Sequence, residues 1–449
     1  MGMWSKAREL AQMAPPERNR WVDFLRALSI LAVVFGHWLM AGLYLDDAGE
    51  LTRGDLLDVS EWAHWLTWAF QVMPVFFLVG GYSNSVSWEA SLRKRGDGAS
   101  GTYRDWLASR VQRLIAPTFP LLLLWALLAV GLTQAGMERE QIRQATEAAL
   151  IPVWFLAVYL LVTACTPLAY KAWKRFGWLS YAWFIPVAAL VDWLRFEHGV
   201  PYISFTNFLW VFLGIHQLGF AWRDGRFARP LFAWGWFAIG LAVLVAITVY
   251  GFYPVSMVSA PDGFSNSLPP TLALFALGVV QVGLVLALEP WGRRMLENLK
   301  IWTATVLMNG MIMTVYLWHL TAFVLVMTVV WLGLGGVGLN SVPGTAEWWA
   351  SRPLWLAIYI LALLPFIAIF ARHERSFGPI RGGRTVPKAR VVAGVLLICI
   401  GLGATAGLTI ASPEGVTGLR IWVVAGPFIG AALLGFGPVY GWFAREKKV

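Results

Sequence analysis

Twelve apolar segments constrain this chain more than any other feature, because each is long enough, or nearly so, to cross a bilayer as a helix. A membrane-spanning helix needs about twenty predominantly apolar residues. Only 13% of the residues are charged, whereas soluble domains have about 25%, and the mean hydropathy is +0.63. We therefore predict an all-α polytopic membrane protein of about 12 transmembrane helices. The segments are residues 21–45, 62–86, 112–134, 152–170, 178–194, 205–222, 230–253, 270–289, 303–333, 353–371, 391–411 and 421–443.

The basic residues support this count, because they gather in alternate connections between the segments. Of the 35 Lys and Arg residues, only six lie in the connections of one set, and nearly all the others lie in the opposite set and the two tails. Loops rich in Lys and Arg stay in the cytoplasm, so both termini are predicted to be cytoplasmic. The net charge of +10 lies mainly in these loops, and we expect no nucleic-acid partner. The six are Arg53, Arg139, Arg143, Arg195, Arg352 and Arg420.

Two local expectations follow from the lengths and flanks of the segments. The ninth segment, 303–333, exceeds a single span and should tilt, bend or break near Gly310. The stretch 88–113 is predicted to include a surface helix, with Trp106 and Leu107 facing lipid. The first twenty residues are basic but lack the apolar core of a cleavable signal peptide. We expect the first span itself to direct insertion.

The first segment, 21–45, carries three charged or titratable groups inside an apolar run: Asp23, Arg26 and His37. Such groups are costly in hydrocarbon and often mark functional sites. Eleven residues of helix return Arg26 and His37 to nearly the same face, about 16 Å apart along the axis. The ordinary interpretation is a snorkelling arginine and a histidine hydrogen-bonded between helices. The shared face favours a functional cavity, in which a neutral imidazole could accept a proton.

Arg110 and Arg113 form a second candidate site at the cytoplasmic mouth of the third segment. Arginines three residues apart lie on neighbouring parts of one helical face and can bind an anion bidentately. Ordinary positive-inside charge is the favoured interpretation of the pair when it is taken alone. A nearby helix N-terminus makes a phosphate site more plausible.

His319, near the middle of the ninth segment, is the third candidate, although a polar bond between helices would also explain it. The other four histidines are not taken as site residues. Cys165 and Cys399 offer neither a disulfide framework nor metal-ligand spacing, and no metal site is predicted. The sequence lacks HExxH, a Walker loop and GxSxG, which argues against metalloprotease, NTPase and serine-hydrolase chemistry.

These residues give the chain a resemblance to the membrane-bound acyltransferase-3 family over about residues 20–375. The first helix of that family carries a basic residue, ten intervening residues and a histidine, as Arg26 and His37 do here. Family members often have Ser-Gly where this chain has Gly80-Gly81. The other similar motifs are 74–82 (PVFFLVGGY), Arg110 with Arg113, 154–156 (WFL) and 316–319 (YLWH).

The resemblance implies a division into a cytoplasmic tail (1–20), a ten-helix acyltransferase core (21–375), and two added helices with a cytoplasmic C-terminal tail (376–449). It also implies an integral plasma (inner) membrane O-acyltransferase. Its donor would be cytoplasmic acyl-CoA, most often acetyl-CoA, used as a co-substrate. Its acceptor would be a hydroxyl of an extracytoplasmic glycan or glycolipid of the cell envelope. Membrane lipids are further partners.

The hypothesis that follows is direct acyl transfer with His37 as the general base. Asp23 would orient Arg26, Arg110 and Arg113 would hold donor phosphates with Arg26, and His319 would position the acceptor or assist the proton. A ping-pong route through an acyl-histidine stays open. So does a multi-pass transporter or lipid flippase, although internal carboxylates are scarce and the two halves lack sequence symmetry. A noncatalytic scaffold would leave the shared face of Arg26 and His37 unexplained. The acceptor, the acyl length and the formation of a homo-oligomer are undetermined by the sequence.

Overall fold

A computed structural model of the chain describes residues 2–46, 49, 51–96, 103–259, 264–374 and 386–440. These residues form nineteen α-helices and one two-stranded antiparallel sheet, β1 (Leu43–Leu45) with β2 (Leu51–Arg53). The helices are α1 (Met3–Gln12), α2 (Arg20–Met40), α3 (Leu56–Val59), α4 (Ala63–Phe70), α5 (Met73–Gly96), α6 (Tyr103–Ile115), α7 (Thr118–Gln134), α8 (Arg139–Leu150), α9 (Val153–Phe176), α10 (Tyr181–Phe196), α11 (Asn207–Arg223), α12 (Pro230–Val249), α13 (Leu272–Ala287), α14 (Glu289–Met295), α15 (Leu299–Asn309), α16 (Ile312–Thr328), α17 (Ala346–Glu374), α18 (Lys388–Leu408) and α19 (Ile421–Leu433).

The predicted class, an all-α polytopic membrane protein, is confirmed. Among the described residues, 8 helical segments are long and apolar enough to cross a membrane, or 10 if each of two bent helix pairs is a single span. One pair is α6 with α7, which meet at 46°, and the other is α13 with α14, which meet at 52°. The predicted number of twelve is therefore not confirmed.

The segment Val153–Phe196, which has 44 residues, contains two of the predicted spans. A straight helix of that length would measure about 66 Å, about twice the hydrocarbon thickness of a bilayer. A 3₁₀ turn at Gly177–Ser180 separates α9 from α10, and Gly177 has a φ of 52° that suits glycine. The segment is thus long enough for both predicted crossings and is interrupted between them.

The ninth predicted segment breaks where the sequence indicated. Helix α15 ends at Asn309, Gly310 forms its C-cap, and α16 begins at Ile312. The last predicted segment, 421–443, is represented by α19, which has only 13 residues. The C-terminal tail from 441 onward lies outside the described residues.

The chain divides by its contacts into two compact units, each built from several segments. The first unit comprises Met1–Glu89, Cys165–Ile312 and Gly338–Arg352, and the second comprises Ala90–Ala164, Met313–Val337 and Pro353–Val449. The boundary predicted at residue 375 does not separate these two units, because residues on both sides of it belong to the second unit. The three-part division from the sequence therefore stays a prediction.

The N-terminal end of α2 is fixed by local hydrogen bonds and by packing in the first unit. The Asn19 side chain caps the helix by accepting from the backbone N–H groups of Trp21 and Val22. The Trp21 indole, 3% exposed, donates to the carbonyl of Val285 at 3.0 Å. These contacts therefore fix the position of the N-terminal end of α2 in the first unit.

Helices α5 and α11 cross in the first unit at two glycines, Gly81 and Gly219. A Cβ atom added to Gly81 would collide with the carbonyl oxygen of His216, and one added to Gly219 would collide with the carbonyl oxygen of Leu78. Small residues let helix backbones approach closely, which is a common mode of packing in membranes. Gly81 of the Gly80-Gly81 pair therefore has a packing role.

The expectation for the stretch 88–113 was wrong in one respect. Trp106 and Leu107 lie on α6 but are only 6% and 2% exposed, so they do not face lipid. The charged residues around them suggested an amphipathic surface helix. In the structure the apolar face of α6 packs against protein instead, since Ala108 and Val111 are buried with them.

We expect Gly81→Ala to destabilise the protein, although alanine favours a helix by about 1 kcal/mol over glycine. The added methyl group meets backbone atoms of α11 that cannot rotate away, and overpacking costs about 1–3 kcal/mol. Thermal unfolding in detergent, followed by size-exclusion chromatography, measures the effect. Gly131→Ala on α7 is the control, because no atom lies within 4 Å of its added Cβ. Equal melting temperatures for the two variants would contradict the proposed close contact.

Candidate functional site

The Asp23 carboxylate lies between two guanidinium groups near the N-terminal end of α2. Arg18 Nε donates to Asp23 Oδ2 at 2.6 Å, and Arg26 Nη1 donates to Asp23 Oδ1 at 3.2 Å. The Asp23 side chain is 8% exposed, whereas those of Arg18 and Arg26 are 44% and 29% exposed. A nearly buried carboxylate is thus satisfied by two partly exposed cations, which avoids the cost of an unpaired buried charge.

Two further polar side chains hold this pair in place. The second terminal nitrogen of Arg26, Nη2, donates to Ser83 Oγ on α5 at 3.0 Å. Asn309, at the end of α15, donates from Nδ2 to the backbone carbonyl of Asp23 at 2.9 Å. Contacts from α5 and from within α2 therefore fix the Arg26 guanidinium, and α15 holds the backbone at Asp23. That Asp23 orients Arg26 for function stays a prediction.

His37 lies on the same continuous helix as Arg26, so the predicted spacing applies. The helix runs unbroken from Arg20 to Met40, and the step of eleven residues from Arg26 to His37 places both side chains on one stripe. On that stripe Ile30 and Val33 are 2% and 7% exposed, whereas His37 itself is half-buried. The stripe is therefore directed into the protein and not into lipid.

Arg110 and Arg113 lie in the second unit, and their setting differs from the predicted one. Both belong to α6, and Arg113 is in its last turn, two residues before the helix ends at Ile115. The pair is thus in the C-terminal part of a helix, and the next helix N-terminus is that of α7 at Thr118, after a bend of 46°. Arg110 is half-buried and Arg113 is exposed. Anion binding by this pair stays a prediction.

His319 is on α16, also in the second unit, and is completely buried. Its Nδ1 lies 2.7 Å from the carbonyl oxygen of Tyr316, one turn earlier on the same helix. The hydroxyl of Tyr316 donates to the carbonyl of Pro152 at 2.8 Å. His319 therefore has a fixed ring orientation, as a positioning residue would need. Its role stays a prediction.

Sequence reasoning missed the residues that support Arg26. Arg18 was counted only as a cytoplasmic charge, and Ser83 and Asn309 were not singled out. A signal existed, because 83–85 (SNS) and Asn309 are polar residues at or near the ends of apolar runs. Their partners could not be read from the sequence, since 57 and 286 residues separate the bonded pairs.

A polytopic membrane protein with a clamped guanidinium and an imidazole on one interior stripe has the elements of an acid–base and anion-binding site. Such a site suits group transfer between anionic and neutral substrates. A family model described as an acyltransferase domain matches residues 19–372. The chain therefore belongs to the membrane acyltransferase-3 family and is an acyl-transferring enzyme. No curated protein and no solved structure matches it.

We expect Ser83→Ala to lower acyl transfer by about tenfold, because Arg26 loses one of its two side-chain partners and a hydrogen bond to a charged group is worth about 1.5–3 kcal/mol. The matched control is Ser91→Ala, a half-buried serine of the same helix. Steady-state kinetics in membranes with equal amounts of inserted protein measure the change. Unaltered kcat/KM in Ser83→Ala would mean that Arg26 does not need this contact.

Proposed function

We propose that the protein is an integral membrane O-acyltransferase of the plasma (inner) membrane, with both termini in the cytoplasm. It transfers an acyl group, acetyl in the simplest case, from cytoplasmic acyl-CoA to a hydroxyl of an extracytoplasmic cell-envelope glycan or glycolipid. One observation carries the proposal: the guanidinium of Arg26, held by Asp23 and Ser83, shares an interior helix stripe with His37.

The separation of the two groups suits a donor that approaches from one membrane surface. The phosphates of a CoA thioester cannot enter hydrocarbon, whereas its pantetheine arm is narrow and carries the thioester at its end. The stripe from Arg26 to His37 covers about 16 Å, roughly half of the hydrocarbon thickness. The thioester would therefore meet an external hydroxyl within the membrane, with Arg26 on the donor side.

The chemical step is a direct transfer with His37 as the general base. The imidazole takes the proton from the acceptor hydroxyl while the oxygen attacks the thioester carbonyl carbon. A new C–O bond forms, the C–S bond breaks, and the CoA thiolate leaves and is protonated by the imidazolium. General base catalysis of this kind contributes about 10² to 10⁴ in rate.

Arg26 would help to bind the anionic part of the donor, and Asp23 would keep Arg26 in position. Nη1 donates to Asp23 and Nη2 to Ser83, whereas Nε makes no hydrogen bond to any residue that the structure describes. The packed side chains of Ile30 and Val33 lie between Arg26 and His37. Binding of the donor arm therefore requires a change in packing along this stripe.

Arg110 and Arg113 are proposed to bind donor phosphates as well. This proposal is supported by α6 alone, on which two guanidiniums lie one turn apart and can match the oxygens of a phosphate. His319 is proposed to position the acceptor or to assist the proton, since its ring is buried and its Nδ1 is fixed against Tyr316. No metal is required by this mechanism.

We expect His37→Gln and His37→Ala to lower transfer by at least about 10²-fold, because both remove the proton acceptor. The assay follows label from acetyl-CoA into an envelope fraction, together with CoA release, in membranes that contain the variant. His198→Gln is the control, because that histidine is exposed in a loop against Trp193. The control should retain wild-type activity.

Normal transfer in well-inserted His37 variants would remove the proposed base. The same assay also distinguishes an enzyme from a carrier. A transporter or flippase would move its substrate intact and release no CoA.

We expect Arg110→Gln with Arg113→Gln to raise KM for acetyl-CoA by about tenfold or more, with a smaller effect on kcat. Each lost charge-assisted bond to phosphate is worth about 1.5–3 kcal/mol. The control is Arg226→Gln, because Arg226 is an exposed residue in a loop that is predicted to be cytoplasmic. Acetyl-pantetheine, which lacks the nucleotide, should be used equally by the variant and the wild type. If the variant were impaired with both donors, phosphate binding would not explain the defect.

A further inference from the structure

Two arginines that precede or begin α2, Arg18 and Arg20, lie near the same buried aromatic ring. Their guanidinium carbons are 5.6 Å and 5.2 Å from the centre of the Trp302 ring. Trp302 is completely buried, and its indole nitrogen donates to the carbonyl of Ala11 at 3.0 Å. An anchored ring thus brings two cations together, with a cation–π attraction for each.

This group carries an excess of positive charge. Arg18 and Arg26 share one carboxylate, that of Asp23, and Arg20 lies with Arg18 against the Trp302 ring. Arg20 instead donates from Nη1 to the backbone carbonyl of Leu296 at 2.9 Å, which neutralises no charge. Two positive charges are therefore in excess, and their mutual repulsion would fall if an anion bound between them.

The guanidinium groups of Arg18 and Arg20 also have further N–H donors with which to bind an anion. A guanidinium has five N–H donors. Arg18 donates from Nε to Asp23, its side chain is 44% exposed, and its terminal nitrogens make no hydrogen bond to the described residues. Arg20 is half-buried, and its one hydrogen bond within the described part of the chain is from Nη1 to the carbonyl of Leu296.

Ordinary positive-inside charge explains why basic residues occur here, but it requires no defined geometry. Exposed cations that serve only orientation need neither a shared ring nor a shared carboxylate. Arg18 and Arg20 are instead held by Trp302, Asp23 and Leu296, contacts that link the start of α2 to the α14–α15 region of the first unit. This preorganisation lowers the entropy cost of binding a ligand.

We propose that Arg18 and Arg20 form a binding site for a phosphate group at the start of α2. Phosphate oxygens match the planar fork of a guanidinium and accept charge-assisted hydrogen bonds from it. The group could be a phosphate of the acyl-CoA donor, and only this source depends on the proposed function. It could equally be the phosphate of an anionic lipid headgroup, which presents the same chemistry.

The test uses the purified full-length protein in lipid nanodiscs and the variant Arg20→Gln. In phosphatidylcholine nanodiscs, calorimetry measures the affinity for CoA and for adenosine 3′,5′-bisphosphate. In nanodiscs that contain phosphatidylglycerol, native mass spectrometry measures the lipid retained by the protein. We expect Arg20→Gln to weaken one of these two ligand classes by about tenfold. Arg18→Gln should have the same effect, which guards against a folding defect specific to one variant.

Arg8→Gln is the matched control, because it removes one exposed positive charge from α1. Loss of nucleotide binding beyond the control supports a donor phosphate, and loss of phosphatidylglycerol retention supports a lipid phosphate. Equal effects of Arg8→Gln and Arg20→Gln in both arms would overturn the site. A third outcome is that the wild type binds no CoA and yet retains phosphatidylglycerol in a way that depends on Arg20. That result would contradict the proposed acyl-CoA donor but would support the phosphate site.

Discussion

The carboxylate of Asp23 is the interaction on which the arrangement of the first helix depends. It is nearly buried, and it accepts hydrogen bonds from Arg18 on one oxygen and from Arg26 on the other. Breaking a fully buried ion pair costs about 3–5 kcal/mol, and the value here is smaller because both arginines are partly exposed to solvent. The interaction matters more for geometry than for stability, because Asp23 fixes the positions of the Arg18 and Arg26 guanidiniums.

That constraint extends from α2 to the helices around it. Ser83 of α5 binds Arg26, and Asn309 of α15 binds the Asp23 backbone. Helix α5 is itself pressed against α11 at Gly81, where there is no room for a side chain. Close packing therefore supports a polar site, as a membrane interior requires, because a guanidinium left without fixed partners would turn towards water.

Much of this could be predicted from the sequence, and the reasons for the remainder are physical. Apolar length and alternating charge predicted the all-α membrane class and the break at Gly310, because hydrophobicity and backbone freedom are local properties. The spacing of Arg26 and His37 predicted their common stripe for the same reason. Trp106 was misplaced, because an aromatic residue suits lipid and protein interiors equally well. Ser83 and Asn309 were missed, since their contacts join residues distant in sequence.

The cationic group at the start of α2 and the interior histidine place different demands on a donor molecule. Arg18, Arg20 and Arg26 favour an anion at the start of α2, whereas the buried Ile30 and Val33 favour an apolar or neutral segment further along the helix. A molecule with phosphates at one end and a neutral chain ending in a reactive group meets both demands. An inorganic anion would satisfy only the first, and a fully apolar lipid chain only the second. The polarity of this one helix thus supports the proposed donor, an amphipathic acyl carrier that bears phosphate, over the substrates of a simple ion carrier.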